Sequence, residues 1–186
     1  MVRRSGRWQG GPRTPRPGPH ERIALYLDLE NLLYQYRESG DWQGAVLCVT
    51  SLVHGLAARG TLVARVACGD RTLVAELAFE LDRLGVRSHV HEGGVDGADK
   101  ALLRMLSGAV PGSCGTVVIA SGDHIFAAVA RHLRQQGKRV EVFAARGTIS
   151  SELYSACDSF QELLTIEQDL SELERGLERA REDALR

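Results

Sequence analysis

Short apolar runs alternate with longer segments in which apolar residues recur every third or fourth position. Ile23-Ala24-Leu25-Tyr26-Leu27 is a run ending in Asp28 and reads as a buried strand. Asn31 to Arg37 has room for a short helix. Trp42 to Arg59 sets Val46, Val49, Leu52, Val53 and Leu56 at helical spacing, and Gly60 reads as its terminating glycine. Thr61 to Cys68 is a second strand. Thr72 to Leu84, with Leu73, Leu77, Leu81 and Leu84 on one face, is a helix closed by Gly85. Val86 to His91 predicts a third strand, Ala98 to Leu106 a third long helix, and Gly115 to Ala120, rich in β-branched residues, a fourth strand. Phe126 to Gln136 then reads as a helix closed by Gly137, and Arg139 to Ala144 as a fifth strand.

Strands alternating with helices predict an α/β fold: a three-layer sandwich with a central, parallel, five-stranded sheet covered on both faces. In such sheets ligands sit beyond the carboxyl ends of the strands, where the strand order reverses. The residue that ends each strand is therefore where chemistry is to be sought.

The ends of the chain break the pattern. Residues 1–22 hold four of the five prolines and no apolar periodicity, which predicts a disordered, Arg-rich arm before a domain over 23–165. In residues 166–186, Ile166, Leu170, Leu173, Leu177, Ala180 and Ala184 form a heptad-spaced seam among charged residues. That helix either docks on its own domain or joins two copies as a homodimer.

Composition narrows the class. With 186 residues and 44% hydrophobic content, the chain can bury a core without disulfides. No run of about 18 apolar residues exists, so no membrane span is expected. The amino-terminal segment lacks the apolar stretch of a secretory signal, and a cytoplasmic location is expected. Cys48, Cys68, Cys114 and Cys157 match no zinc framework and read as reduced thiols. The net charge of −1 hides asymmetry: residues 1–22 carry +5 and residues 167–186 carry −3, leaving −3 for the rest. Any hold on a polyanion must come from the arm or from a local patch.

Acids mark the strand ends. Asp28 ends the first strand, Asp70 follows the second and Glu92 the third, Asp96 and Asp99 precede the third long helix, and Asp123 follows the fourth strand. Carboxylates clustered in this way repel one another unless a hard cation neutralises them. Magnesium suits oxygen ligands with few protein carboxylates and several waters, and such an ion activates water for phosphoryl displacement. Helix capping is the competing account, because Asp28, Asp99 and Asp123 all stand before helical stretches. His89 and His91 face one side of a strand, which fits either an exposed strand end or a zinc site lacking its third ligand. Neither GxxxxGK[ST] nor GxGxxG follows the first strand.

Four segments carry a resemblance. Ile23 to Leu32, with its Asp28-x-x-Asn31 ending, Gly94 to Leu102 around Asp99, Val117 to Phe126 with Ser121-Gly122-Asp123 followed by Gly137 to Val142, and Ser151 to Phe160 together resemble the NYN domain, a branch of the PIN-like nucleases that includes the LabA-like proteins. The resemblance implies a PIN-like fold and a ribonuclease dependent on Mg2+ or Mn2+. It implies that Asp28, Asp99 and Asp123 ligate the metal, that Asn31 orients Asp28 or a water, that Ser121 supports the site, and that a metal-activated water attacks an RNA phosphodiester. Arg71, Lys100, Arg104, Arg146 and His124 are the candidate phosphate contacts. Arginine forks suit phosphate oxygens, and the few aromatics suggest backbone rather than base recognition.

The chain departs from the family pattern in two places. Ile125 stands where a further acid is usual, and Leu103, Met105 and Leu106 fill a stretch where another is often found. Glu92, Asp96 or Asp70 are the available substitutes. An RNA- or protein-binding module with impaired catalysis is the alternative function. A phosphatase of the haloacid dehalogenase type also begins with an Asp ending its first strand, but Glu30 replaces the second Asp of its Asp-x-Asp.

Overall fold

The computed structural model describes residues 21–91, 97–108 and 110–163. The arm up to residue 20, Glu92, Asp96 and the 166–186 helix lie outside the described residues. Six parallel strands form one sheet in the order β3-β2-β1-β4-β5-β6. They are β1 (Glu21–Asp28), β2 (Gly60–Gly69), β3 (Arg87–Val90), β4 (Thr116–Ala120), β5 (Arg139–Ala145) and β6 (Ser159–Leu163). The sheet thus has six strands where the hydrophobic pattern predicts five. β6 reads Ser-Phe-Gln-Glu-Leu and borders solvent on one side, so it lacks the apolar run that reveals a central strand.

β1 shows why the sheet is covered twice. Ile23, Leu25 and Leu27 enter one core with α1 (Leu29–Leu32), α2 (Tyr34–Ser39), α3 (Trp42–Ala57) and α4 (Arg71–Arg83). Ala24 and Tyr26 enter the other, with α5 (Gly97–Gly108), α6 (Ala127–Gln135) and α7 (Ser151–Ala156). Successive side chains leave a strand on opposite faces, so a strand buried on both must be apolar throughout. Among the described residues no helix is long and apolar enough to cross a membrane.

Local details differ from the reading of the pattern. The first strand starts at Glu21 rather than Ile23, and the short helix expected over Asn31–Arg37 is split at Leu33 into α1 and α2. Gly85 and Gly137 close α4 and α6 in the left-handed region, at φ 65 and 78. Gly60 does something else: it opens β2, and a Cβ there would lie 2.2 Å from the carbonyl oxygen of Glu21. Glycine at this position lets two backbones approach, and it does not end the helix.

An ionic cluster ties the amino edge of the sheet together. Arg59, just past α3, donates from Nη1 and Nη2 to the Glu141 carboxylate at 2.7 and 2.9 Å, and Arg139 Nε donates to it at 2.7 Å. The Thr116 hydroxyl and Arg59 both reach Glu21. Burial pushes the Glu141 carboxyl up, but the two guanidinium groups outweigh it and hold it below its ordinary value. β1, β4, β5 and α3 are thereby fastened at the end away from the acids. Arg59→Met leaves a carboxylate only 5% exposed with one partner and should cost on the order of 3 kcal/mol in urea unfolding. Arg59→Lys should recover only part of this, because it lacks the bidentate fork. A loss within about 0.5 kcal/mol, typical of an uninvolved surface position, would remove the cluster from the stabilising interactions.

Candidate functional site

The chain leaves β1 towards one face of the sheet and β4 towards the other, although the two strands are neighbours. The segments after them diverge and open a crevice at the carboxyl edge. Asp28 ends β1, 2% exposed, and caps α1 by accepting the Asn31 amide at Oδ1 at 3.2 Å. Ser121, fully buried after β4, donates its hydroxyl to Asp28 Oδ2 at 2.9 Å. Asn31 returns the connection: its Oδ1 accepts the Gly122 amide at 2.8 Å. The Asp123 amide donates to Ser121 Oγ at 3.2 Å. Two hydrogen bonds thus join the Asp-x-x-Asn turn to the Ser-Gly-Asp turn, and one more braces each turn internally. Glycine is required in the second turn, since a Cβ at Gly122 would stand 2.5 Å from the Thr148 carbonyl oxygen.

The crevice widens into a cavity of about 350 Å3 lined by Asp28, Glu30, Asn31, Tyr34, Asp99, Asp123 and Thr148. Asp28, Asp99 and Asp123, brought from β1, α5 and the turn after β4, all face it. Asp99 is the third residue of α5 and hydrogen-bonds to Asp28. Burial, and then the charge of Asp99, push the Asp28 carboxyl up to about 8, against the opposing pull of the Asn31 amide and the Ser121 hydroxyl. Burial and the neighbouring carboxyl thus both favour the protonated form of Asp28. Asp123 has partners of its own: its Oδ1 accepts the Ile125 amide at 2.9 Å and lies 2.9 Å from Nδ1 of the exposed His124. Among the described residues no three His, Cys, Asp or Glu side chains gather tightly enough to hold a metal ion between them.

The donor set is nevertheless suited to a hard cation. It is all oxygen, and its centre is a pair of carboxyls in contact, of which the buried one favours its protonated form. A divalent ion in the proton's place satisfies both, and magnesium needs only one or two protein carboxylates beside its waters. Capping and ligation are therefore compatible, since Asp28 and Asp123 each use Oδ1 for a cap.

The other candidate residues are spread around this edge. Asp70 caps α4 through the Leu73 amide at 2.9 Å and binds Arg37 at 2.7 Å, and it does not line the cavity. Ile125 packs against the second core and is also absent from the cavity wall. Arg71 opens α4, Lys100 and Arg104 are on α5, and Arg146 follows β5; all four are exposed and none lines the cavity. His89 and His91 do not make a zinc site among the described residues. The residues that the sequence reading missed are Glu30, Tyr34 and Thr148. Glu30 was within reach of that reading, being two residues past Asp28 in the same turn. Tyr34, 59% exposed at the cavity, carries no sequence signal, and Thr148 arrives through the Gly122 contact. A larger cavity, about 660 Å3, is walled by Arg131, Arg134, Lys138 and Arg139 with Asp158, away from the acids. Three of its cations already have structural partners: Arg134 binds Asp158, Arg139 binds Glu141 and Lys138 binds the carbonyls of Gly112 and Cys114.

Comparison with known proteins bears on this geometry. The NYN domain profile matches residues 22–165. No curated protein matches the chain. A crystal structure of a protein of unknown function from Vibrio parahaemolyticus is similar in fold, with a TM-score of 0.59 at 17% identity, over 78% of this chain and 94% of that one.

The Asp28 proton gives a measurable linkage. Unfolded, the carboxyl ionises near 3.8; folded, it holds its proton to about 8. The folded state therefore binds more protons between these values, and the contribution of Asp28 to stability falls as pH rises through that window. Asp28→Asn, which keeps an acceptor oxygen for the Asn31 amide and cannot ionise, should gain stability relative to the wild type from pH 4 to pH 8 and then level off, on top of a pH-independent change from the altered Ser121 contact. Urea unfolding of both proteins across that range reads the difference. A constant difference would mean that Asp28 ionises in the fold as it does in water.

Proposed function

We propose that this chain, which belongs to the NYN domain family, is a metal-dependent ribonuclease acting on unpaired RNA. The observation that supports this best is the contact between Asp28 and Asp99 inside a cavity also faced by Asp123, at the point where the strand order reverses. Asp28 and Asp99 would hold Mg2+ or Mn2+ with Asp123 beside them, and the ion would supply an activated water and neutralise charge on the phosphodiester.

The protein's own groups do the rest. Ser121 and the Asn31 amide fix both oxygens of Asp28, so its free lone pairs point into the cavity. Asn31 holds the Ser-Gly-Asp turn, and with it Asp123, at constant distance from β1. The acidic cavity repels phosphate, so an RNA strand must be gripped around it. Lys100, Arg104, Arg146, Arg71 and His124 would supply that grip by meeting backbone oxygens. Tyr34 offers an exposed ring at the cavity on which an unpaired base can stack. From sequence alone, we also assign the Arg-rich arm 1–22 a supporting hold on RNA and the 166–186 helix a role in pairing two copies. A second reading, RNA binding without turnover, is favoured because among the described residues no three His, Cys, Asp or Glu side chains lie close enough to hold a metal ion.

Single-stranded RNA incubated with the protein and Mn2+ should be cleaved. Asp28→Asn and Asp123→Asn should each lower the rate by more than the roughly 10–100-fold that loss of an outer partner costs. RNA bound tightly and left intact by wild type and variants alike would establish the second reading. Tyr34→Ala should weaken binding of single-stranded RNA by about 5–100-fold, as loss of one stacked base does, while Tyr34→Phe should retain it. Equal affinity of all three proteins would exclude the stacking role.

A further inference from the structure

The sheet face that carries α1 to α4 is not covered across its whole width. Those helices belong to the crossovers from β1 to β2 and from β2 to β3, whereas α6 and α7, which follow β4 and β5, pack on the other face. Among the described residues no helix follows β6. A groove of about 250 Å3 is left between α3 and strands β5 and β6. Ser51, Leu52, Gly55 and Leu56 form its helical wall, and Phe143 and Leu163 its apolar floor. Parallel sheets are covered on both faces, so a layer is missing at this corner.

The floor is short. Leu163 packs against the first core but is only half-buried, and Gln161, on the same face of β6, is exposed. Towards the amino edge this face turns polar, with Ser159 beside Glu141 and its two arginines. The chain leaves the sheet at Leu163, inside the groove. Residues 164 and 165 suffice to turn it back, since strand-to-helix connections take about two to six residues. Thr165 and Gln168 then make the Thr-x-x-Gln pattern of a helix start. Ile166, Leu170 and Leu173 form the first half of the heptad-spaced seam, and Gly176 interrupts it. From Ile166 to Leu173 a helix rises about 11 Å, which matches the short apolar floor. The acids of this stretch, Glu167, Asp169, Glu172 and Glu174, fall off the seam. A helix of about ten residues is not stable alone in water, so this one needs a surface to pack on.

We propose that the groove is the seat of residues 166–175 of the same chain, which turn back after β6 and lay Ile166, Leu170 and Leu173 against Phe143, Leu163 and the Ser51–Gly55 side of α3. The seat completes the layer over β5 and β6. It uses only the first half of the seam: Leu177, Ala180 and Ala184, past Gly176, reach beyond the apolar floor and are what remains for pairing two copies. The inference is independent of the reaction proposed above.

Hydrogen exchange of the full chain, read by mass spectrometry with the size followed by light scattering, tests the seat. Past the first turn, the amides of residues 169–175 should exchange at least about tenfold more slowly than in a free peptide of that sequence, in the monomer as well as in any dimer. A Cβ at Gly55 meets nothing within 4 Å among the described residues, so Gly55→Leu fills the groove without crowding the domain. It should return residues 169–175 to peptide rates while the domain still melts cooperatively. Leu170→Asp removes the seam from the other side and should do the same. Peptide rates in the wild type overturn the proposal. Slow exchange that disappears on dilution to monomer overturns it in favour of a second copy in the groove. Slow exchange retained in either folded variant puts the segment elsewhere and overturns it too.

Discussion

The site rests on a carboxyl group removed almost wholly from water and set against a second one. Asp28 is buried at the end of a central strand, with Asp99 as its neighbour. Charging both in a low-dielectric crevice is unfavourable, so something positive must lie between them, whether a proton or a cation. The surrounding hydrogen bonds from Ser121 and the Asn31 amide satisfy part of the Asp28 carboxylate and fix its orientation. They do not neutralise it.

The division of labour across the sheet follows from the same constraint. At the amino edge, buried Glu141 and Glu21 are matched by Arg59, Arg139 and the Thr116 hydroxyl. At the carboxyl edge the cavity is walled, among the described residues, by four acids and no Arg or Lys. Both ends of the molecule bury carboxylates. The first is compensated internally by cations and acts as a fastening; the second sets carboxyl against carboxyl. The two apolar layers between them keep the edges from relaxing towards each other.

Much of this was legible in the pattern of residues. Unbroken apolar runs such as Ile23–Leu27 and helices with leucines three and four apart signal their type unaided, and alternation of the two implies where the switch point lies. The strand-end aspartates followed directly. The readings that failed depended on partners. β6 is a strand only because β5 pairs with it. Gly60 is a glycine because Glu21 lies beneath it, and its own neighbours suggest a helix end instead. Glu30 and Tyr34 face the cavity because of the break at Leu33 and the burial of Leu29 and Leu32, which turn the remaining side chains outward. Asp70, by contrast, looked like a member of the acidic set until Arg37 and the Leu73 amide accounted for both its oxygens.

The close packing of Gly122 against Thr148 has a practical corollary. Ser150 donates its amide to the Gly122 carbonyl, so the segment following β5 and the segment following β4 are stitched into one body beside the aspartates. Anyone attaching a fluorophore, tag or inserted peptide should avoid residues 146–150, although their exposure makes them look permissive. The exposed stretch near Gly112 and Ser113, at the other end of the sheet, is the better place for such cargo.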